Sequence, residues 1–151
     1  MVQRSKGRSL VVQALYSVEI SKNDGQQVFE SFVKPKFKKS KKNFEFTKSL
    51  FFKTLDQQQA LDDIIEKHIK NWKIDRLAKL DKVILRAALC EFMFFEEIPT
   101  KVTINEAIEI AKNFSTEKSG NFINGILDAS LGDLKKDGRI EKRGRGLVES
   151  S

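Results

Sequence analysis

Three stretches in the second half of the chain repeat apolar residues at a helical period. In residues 81–95, DKVILRAALCEFMFF, the apolar positions Val83, Ile84, Ala87, Ala88, Leu89 and Phe92 fall on nearly every side of a helical cylinder. A helix that is apolar all round is one enclosed by its neighbours, so this segment is expected at the centre of the fold. A second helix is expected after Pro99, running through Thr103-Ile104-Asn105-Glu106. There Thr103 and Glu106 stand at capping-box spacing, and Ile104, Ala107, Ile108 and Ala111 make one face. The third, residues 117–131, carries the stripe Phe122, Ile123, Ile126 and Leu127.

The first half repeats the pattern more loosely. Residues 9–21 read as a helix with Val11, Ala14, Leu15 and Val18 on its core face and Val12, Tyr16 and Ile20 on a second stripe. Asn23-Asp24-Gly25 marks a turn, and a short helix follows with Phe29, Phe32 and Val33 inward. Residues 44–70 are helical by spacing, with a break near Asp56-Gln57. Leu50, Phe51 and Leu55 serve the first part, and Leu61, Ile64, Ile65 and Ile69 the second. Asn71-Trp72 close this element, and residues 74–77 form a short turn of helix. No run of strict alternation competes, so the fold expected is all-α, a compact bundle of about seven helices. Beyond Leu131 the sequence GDLKKDGRIEKRGRGLVESS is glycine-broken, charged and poor in apolar residues, the composition of a disordered tail. The expected organisation is one domain over residues 1–132 and a tail over 133–151.

Length and composition narrow the class. A chain of 151 residues is long enough for one domain with its own core. No apolar run approaches the ~18 residues of a membrane span, and the start, MVQRSKGRS, lacks the apolar segment of a signal peptide. Cys90 is the one cysteine, which excludes an internal disulfide and suits a reducing cytosol. A cytoplasmic location is therefore expected. Set in an apolar helix, Cys90 reads as an inert buried thiol. His68 is the one histidine, too few nitrogen and sulfur ligands for a metal site.

The formal net charge of +7 draws the protein towards polyanions, and its placement says more than its size. Arg4, Lys6 and Arg8 precede the first helix, whose free amides also attract phosphate. Residues 34–42, KPKFKKSKK, hold six lysines in nine positions, and like charges that dense are expected to keep a mobile loop. At the start of the last helix Ser119, Gly120 and Asn121 are poor interior residues. Gly120 alone costs up to about 1 kcal/mol against Ala, and small residues there let another chain come close. Phe122 suits either core packing or stacking on an unpaired RNA base. Tyr16 suits either a half-buried core position or an anchor for a protein partner. No phosphate-binding glycine loop, dinucleotide fingerprint or catalytic triad is present. The adjacent carboxylates Asp62-Asp63 and Glu96-Glu97 diverge on a helix and read as solvated faces. An enzyme and a cofactor are not expected.

The segments GRSLVVQALYSVEI, LDKVILRAALCEF and IPTKVTINEAIEIAKNFSTEKSGNFINGIL, followed by Asp128, resemble the NusB family of transcription antitermination factors. The resemblance covers about residues 4–130. Its most specific part lies in 102–128, where NEAIEIAK is followed by S-x-x-F-I-N-G-I-L-D. It implies an all-helical fold of two packed helical subdomains and a job without catalysis. That job is binding the boxA element of ribosomal RNA leader transcripts together with NusE, a small-subunit ribosomal protein, within the RNA polymerase antitermination complex. By position the resemblance assigns Arg4, Lys6, Arg8, Lys101 and Phe122 to RNA, and Tyr16 and Asp81 to the protein partner. The chain departs from the family in its shorter basic start and in Asn121, where a basic residue often precedes the Phe. A monomer and a homodimer both fit. Two alternatives remain: a helical protein-interaction module, and an RNA-binding module similar to the front domain of RNA cytosine methyltransferases. The second predicts a downstream cofactor-binding α/β domain, which does not follow here.

Overall fold

The computed structural model describes residues 4–37, 41–69 and 74–148. Among the described residues there are seven α-helices and no strand: α1 (Arg4–Ser21), α2 (Gly25–Val28), α3 (Phe44–Asp56), α4 (Gln58–Glu66), α5 (Lys79–Phe94), α6 (Thr100–Phe114) and α7 (Glu117–Lys136). A π-helical turn at Phe29–Val33 and 3-10 turns at Lys34–Phe37, Ile74–Arg76 and Gly144–Leu147 join them. None of the described helices is long and apolar enough to cross a membrane. Lys70, Asn71 and Trp72, expected to end the α4 stretch, lie outside the described residues, as do 38–40 of the lysine segment.

Helix α5 is the axis. Every residue from Asp81 to Phe92 is buried, and the helix touches α1, α3, α4, α6 and α7. Around it α1 packs on α2 and α3, and α7 packs on α4 and α6, in keeping with the two packed groups of helices that the family resemblance implies. α1 runs antiparallel to α5, because Arg8 meets Glu91 near one end and Glu19 meets Lys82 near the other. Gly7 allows α1 to lie close on α3, since a Cβ there would sit against the Thr47 hydroxyl. Cys90 is fully buried on α5, and burial pushes its thiol up to about 12.

The apolar period of α5 conceals four buried acidic or basic residues, Asp81, Lys82, Arg86 and Glu91, of which Lys82 and Arg86 share one network. Arg86 donates to both Asp62 oxygens, Nε to Oδ1 at 2.6 Å and Nη2 to Oδ2 at 2.8 Å, while its Nη1 donates to Glu19 at 2.9 Å. Lys82 holds the other Glu19 oxygen at 2.8 Å. This network ties α1, α4 and α5 together. Asp62 is therefore buried and paired, not part of a solvated face; the divergence of adjacent carboxylates is real, and it leaves Asp63 exposed, accepting from the Gln59 side-chain amide at 2.9 Å. Burial works to raise the Glu19 carboxyl, but the hydrogen bonds from Lys82 and Arg86 outweigh it and hold the group down at about 2.

Three further expectations change. α6 begins at Thr100, just after Pro99, with no side-chain cap. Thr103 and Glu106 thus sit inside the helix, where Thr103 Oγ1 donates to Glu91 at 2.9 Å and Glu106 approaches Arg8 at 3.5 Å. The capping-box spacing served tertiary contacts instead. The front of the lysine segment is pinned, since Phe37 is buried with its ring edge-on to Phe44, centroids 5.3 Å apart. One buried phenylalanine outweighs the repulsion of lysines whose ammonium groups still reach water.

The expected disordered tail is the largest change. α7 continues to Lys136 and closes in a Schellman motif: Gly138 has φ +70°, its amide reaches the Lys135 carbonyl at 3.1 Å, and the Arg139 amide reaches that of Leu134 at 2.9 Å. Ile140 then packs on the core. Lys142 donates to the Glu91 and Phe95 carbonyls at 3.1 and 2.8 Å, a second donor for oxygens that already accept from the Phe95 and Ile98 amides at the end of α5. Gly146 lies so close to the Glu96 carbonyl that no Cβ fits. The glycines that suggested disorder supply the turn and the close approach that docking requires.

Candidate nucleic-acid interface

Helix α1 begins at Arg4, so the basic residues lie on the helix and not ahead of it. Helical spacing puts Arg4 and Arg8 on one side and Lys6 on another. Both arginines sit over the Phe46 ring of α3, with guanidinium carbons 4.8 and 5.1 Å from its centroid. From there they diverge in role. Arg4 and Lys6 are exposed, whereas Arg8 is 5% exposed. Arg8 donates to Glu91 through Nε at 2.8 Å and Nη2 at 3.0 Å. Burial opposes its charge, but Glu91 and Glu106 more than compensate and hold it raised. Arg8, assigned to RNA by position, is thus engaged inside the fold. It positions the first turn of α1 and offers no open guanidinium to a phosphate.

A cleft of about 940 Å³ opens where α1 and α6 begin and α5 ends, lined among others by Arg4, Lys42, Pro99, Val102, Glu106 and Arg145. Lys42 and Arg145 belong to segments whose composition suggests only loose, unspecific affinity for a polyanion, and spacing alone does not single out either residue. A signal was present in both, namely a basic residue next to a conformationally special one. Asn43 has φ +63° and Gly144 φ +53°, and such turns fix where the neighbouring side chain goes.

Lys101 is exposed on the first turn of α6, next to Val102 of the cleft. Phe122 lies elsewhere. α6 and α7 form a tight antiparallel hairpin, in which a Cβ on Gly120 would face Ile108 and Lys112. In that register Phe122 stands beside the middle of α6, on the order of 10 Å along the hairpin from Lys101. Phe122 is 37% exposed and Tyr16 40%, so neither ring is consumed by the core. The residues assigned to RNA therefore spread from the basic cleft along the outside of the α6–α7 hairpin.

The residues assigned to the partner sit towards the opposite end. Tyr16 lies one turn before Glu19, and Glu19 is bound to Lys82, the neighbour of Asp81. The separation from Arg8 to Glu19 along α1 is about 16 Å. Asp81 is itself buried. Its Oδ2 accepts from the Ser119 hydroxyl at 3.3 Å, and its Oδ1 has no hydrogen-bond partner among the described residues. Burial pushes this carboxyl up, and the Ser119 hydroxyl offsets part of the shift. Asp81 thereby joins the start of α5 to the start of α7, where Thr116 caps the helix by accepting from the Ser119 amide at 3.1 Å.

The NusB family model matches residues 5–131. The transcription antitermination protein NusB of Salinibacter ruber is 43% identical over 148 residues, which is 98% of this chain and 92% of that protein. Among solved structures, NusB of T. maritima superposes with a TM-score of 0.80 at 35% identity, covering 87% of this chain and 92% of that one. A NusB solved with NusE and double-stranded RNA superposes with a TM-score of 0.79 at 27% identity, covering 86% and 96%. Matched in sequence across nearly its whole length and in fold across most of it, the chain belongs to the NusB family.

Proposed function

We propose that this protein is a transcription antitermination factor that holds the boxA segment of ribosomal RNA leader transcripts together with the ribosomal protein NusE, inside the RNA polymerase antitermination complex. What carries the reading is the likeness, over most of the chain, to a NusB solved with NusE and RNA. The mechanism is adaptor binding without catalysis. Arg4, Lys6 and Lys101 supply charge for the RNA backbone, Phe122 supplies a ring for a base, and Tyr16 anchors the partner at the far end of α1. Arg8 and Asp81 act from inside the fold, Arg8 by seating the first turn of α1 and Asp81 by joining α5 to α7.

Phosphate contacts release counterions, so the affinity for labelled boxA RNA is expected to fall steeply as salt rises. Phe122→Ala is expected to lose roughly 1–3 kcal/mol of RNA affinity, the worth of one base stacked on an aromatic ring. A titration followed by fluorescence anisotropy checks both. A flat salt response contradicts the backbone contact, and an unchanged affinity for Phe122→Ala removes that ring from the interface.

Tyr16→Ala is expected to weaken NusE binding by about 2 kcal/mol or more, as a truncated aromatic anchor does. Its helical circular dichroism should stay intact, because the side chain is largely outside the core. Calorimetry with NusE and a far-ultraviolet spectrum decide the matter. A collapse of the helical signal makes Tyr16 a core residue instead.

A further inference from the structure

We infer that the docked segment after α7 is a wall of the RNA cleft, and that Arg145 is one of its phosphate ligands. The inference rests on the RNA-binding reading above and extends it to residues beyond the family match, which stops at 131. Three separate contacts hold the segment in place. The Lys142 ammonium seals two carbonyls at the end of α5. The Arg143 amide reaches the Glu96 carbonyl at 3.0 Å. Gly146 is packed on the Glu96 backbone with no space for a side chain. Composition does not require this docking; specific backbone geometry produces it. Its consequence is to deliver Arg145 to the rim of the cleft that Arg4 and Lys42 also line.

The cations lining the cleft, Arg4, Arg8, Lys42 and Arg145, outnumber its carboxylates. Glu106 and Glu97 also line the cleft. Glu106 leans on the buried Arg8 at 3.5 Å, and Glu97 lies against Gly144. Among the described residues no carboxylate forms an ion pair with Arg145, and its side chain is exposed. A cleft with several cations, among them the two exposed arginines Arg4 and Arg145 with fork-shaped donors, matches the spaced oxygens of a nucleic-acid backbone. The apolar side chains of Val102, Pro99 and Ile98 that also line it suit the sugar and base surfaces of a single strand better than a small anion. A phosphate contact of this kind positions the strand and carries no sequence information.

The test uses the full chain and two fluorescein-labelled single-stranded RNAs, one carrying the boxA segment and one of oligouridylate, titrated across a series of salt concentrations. Arg145→Ala is expected to weaken both RNAs by a similar factor, roughly three- to tenfold at low salt. It should also flatten the salt dependence by about 0.7, the share of one phosphate on a single strand. Gly146→Val, which forces the segment off Glu96, is expected to reproduce that loss, and adding Arg145→Ala to it should cost nothing more. Lys135→Ala removes the same charge from an exposed position on α7 and is expected to leave both RNAs unaffected. The inference is overturned if Arg145→Ala binds like the parent while Arg4→Ala is weakened, and RNA binding itself then stands without the tail. It is also overturned if Lys135→Ala matches Arg145→Ala, which makes the effect one of net charge, or if Gly146→Val binds RNA more tightly, which makes the segment a cover. Should the parent bind neither RNA, the RNA-binding reading falls with it.

Discussion

Arg86→Ala is expected to destabilise the protein by about 3–5 kcal/mol, the cost of removing one member of a buried charge network and stranding the others. The Arg86 guanidinium joins Asp62 of α4 to Glu19 of α1, so its loss leaves the Asp62 carboxylate buried with no guanidinium to face. Glu19 keeps only Lys82. Thermal unfolding should shift by on the order of 10 °C for a chain of this size, and urea denaturation gives the free energy directly. Arg86→Lys should recover only part, because one ammonium cannot span two carboxylates as a planar fork does. A loss below about 1 kcal/mol would place the network among hydrated surface pairs.

The same network sets an acid dependence. Glu19 has its folded pKa depressed to about 2 from an ordinary 4.5. A carboxylate depressed in this way stabilises the fold fully above its unfolded value, and that stabilisation drains away as pH falls from about 4.5 towards 2. Without Arg86 the depression is smaller, so less stability is available to lose. The difference in unfolding free energy between the parent and Arg86→Ala is therefore expected to narrow as pH drops through this range. A gap that widens in acid contradicts the assignment.

Glu91→Ala is the second large effect, again about 3–5 kcal/mol. Glu91 is 2% exposed and accepts from Arg8 twice and from Thr103 once. Its removal leaves the buried Arg8 guanidinium with only Glu106, at 3.5 Å, and strands the Thr103 hydroxyl at the junction of α1, α5 and α6. Hydrogen exchange should show the first turn of α1 opening more than the rest of that helix. The double change Arg8→Met with Glu91→Leu should be more stable than Glu91→Ala, because no unpaired charge then remains inside. If the double variant is no better, packing and not charge accounts for the loss. The outcome bears on RNA as well, since a released Arg8 points its guanidinium towards the cleft that it lines.

The residue pattern was enough to identify the helices, because burial in a helix repeats with the turn and leaves a periodic trace. Ile123, Ile126 and Leu127 were assigned inward from spacing alone, and all three are buried. The break at Asp56-Gln57 and the central place of α5 were legible for the same reason. Family membership was legible too, since motifs such as NEAIEIAK and FINGILD belong to the order of residues and need no coordinates.

Charged residues were the harder part. Arg8 and Lys6 look alike in sequence, yet one is sealed against Glu91 and the other faces water. Asp62 and Asp63 are neighbours with opposite fates, and Thr103 with Glu106 matched a local motif while serving distant partners. The tail shows the same limit, since glycine and lysine describe a disordered chain and a docked one equally well. Periodicity is a property of one element and survives in its sequence. An ion pair depends on which two elements meet, and Arg8 and Glu91, 83 positions apart, become partners only once α1 has been laid against α5.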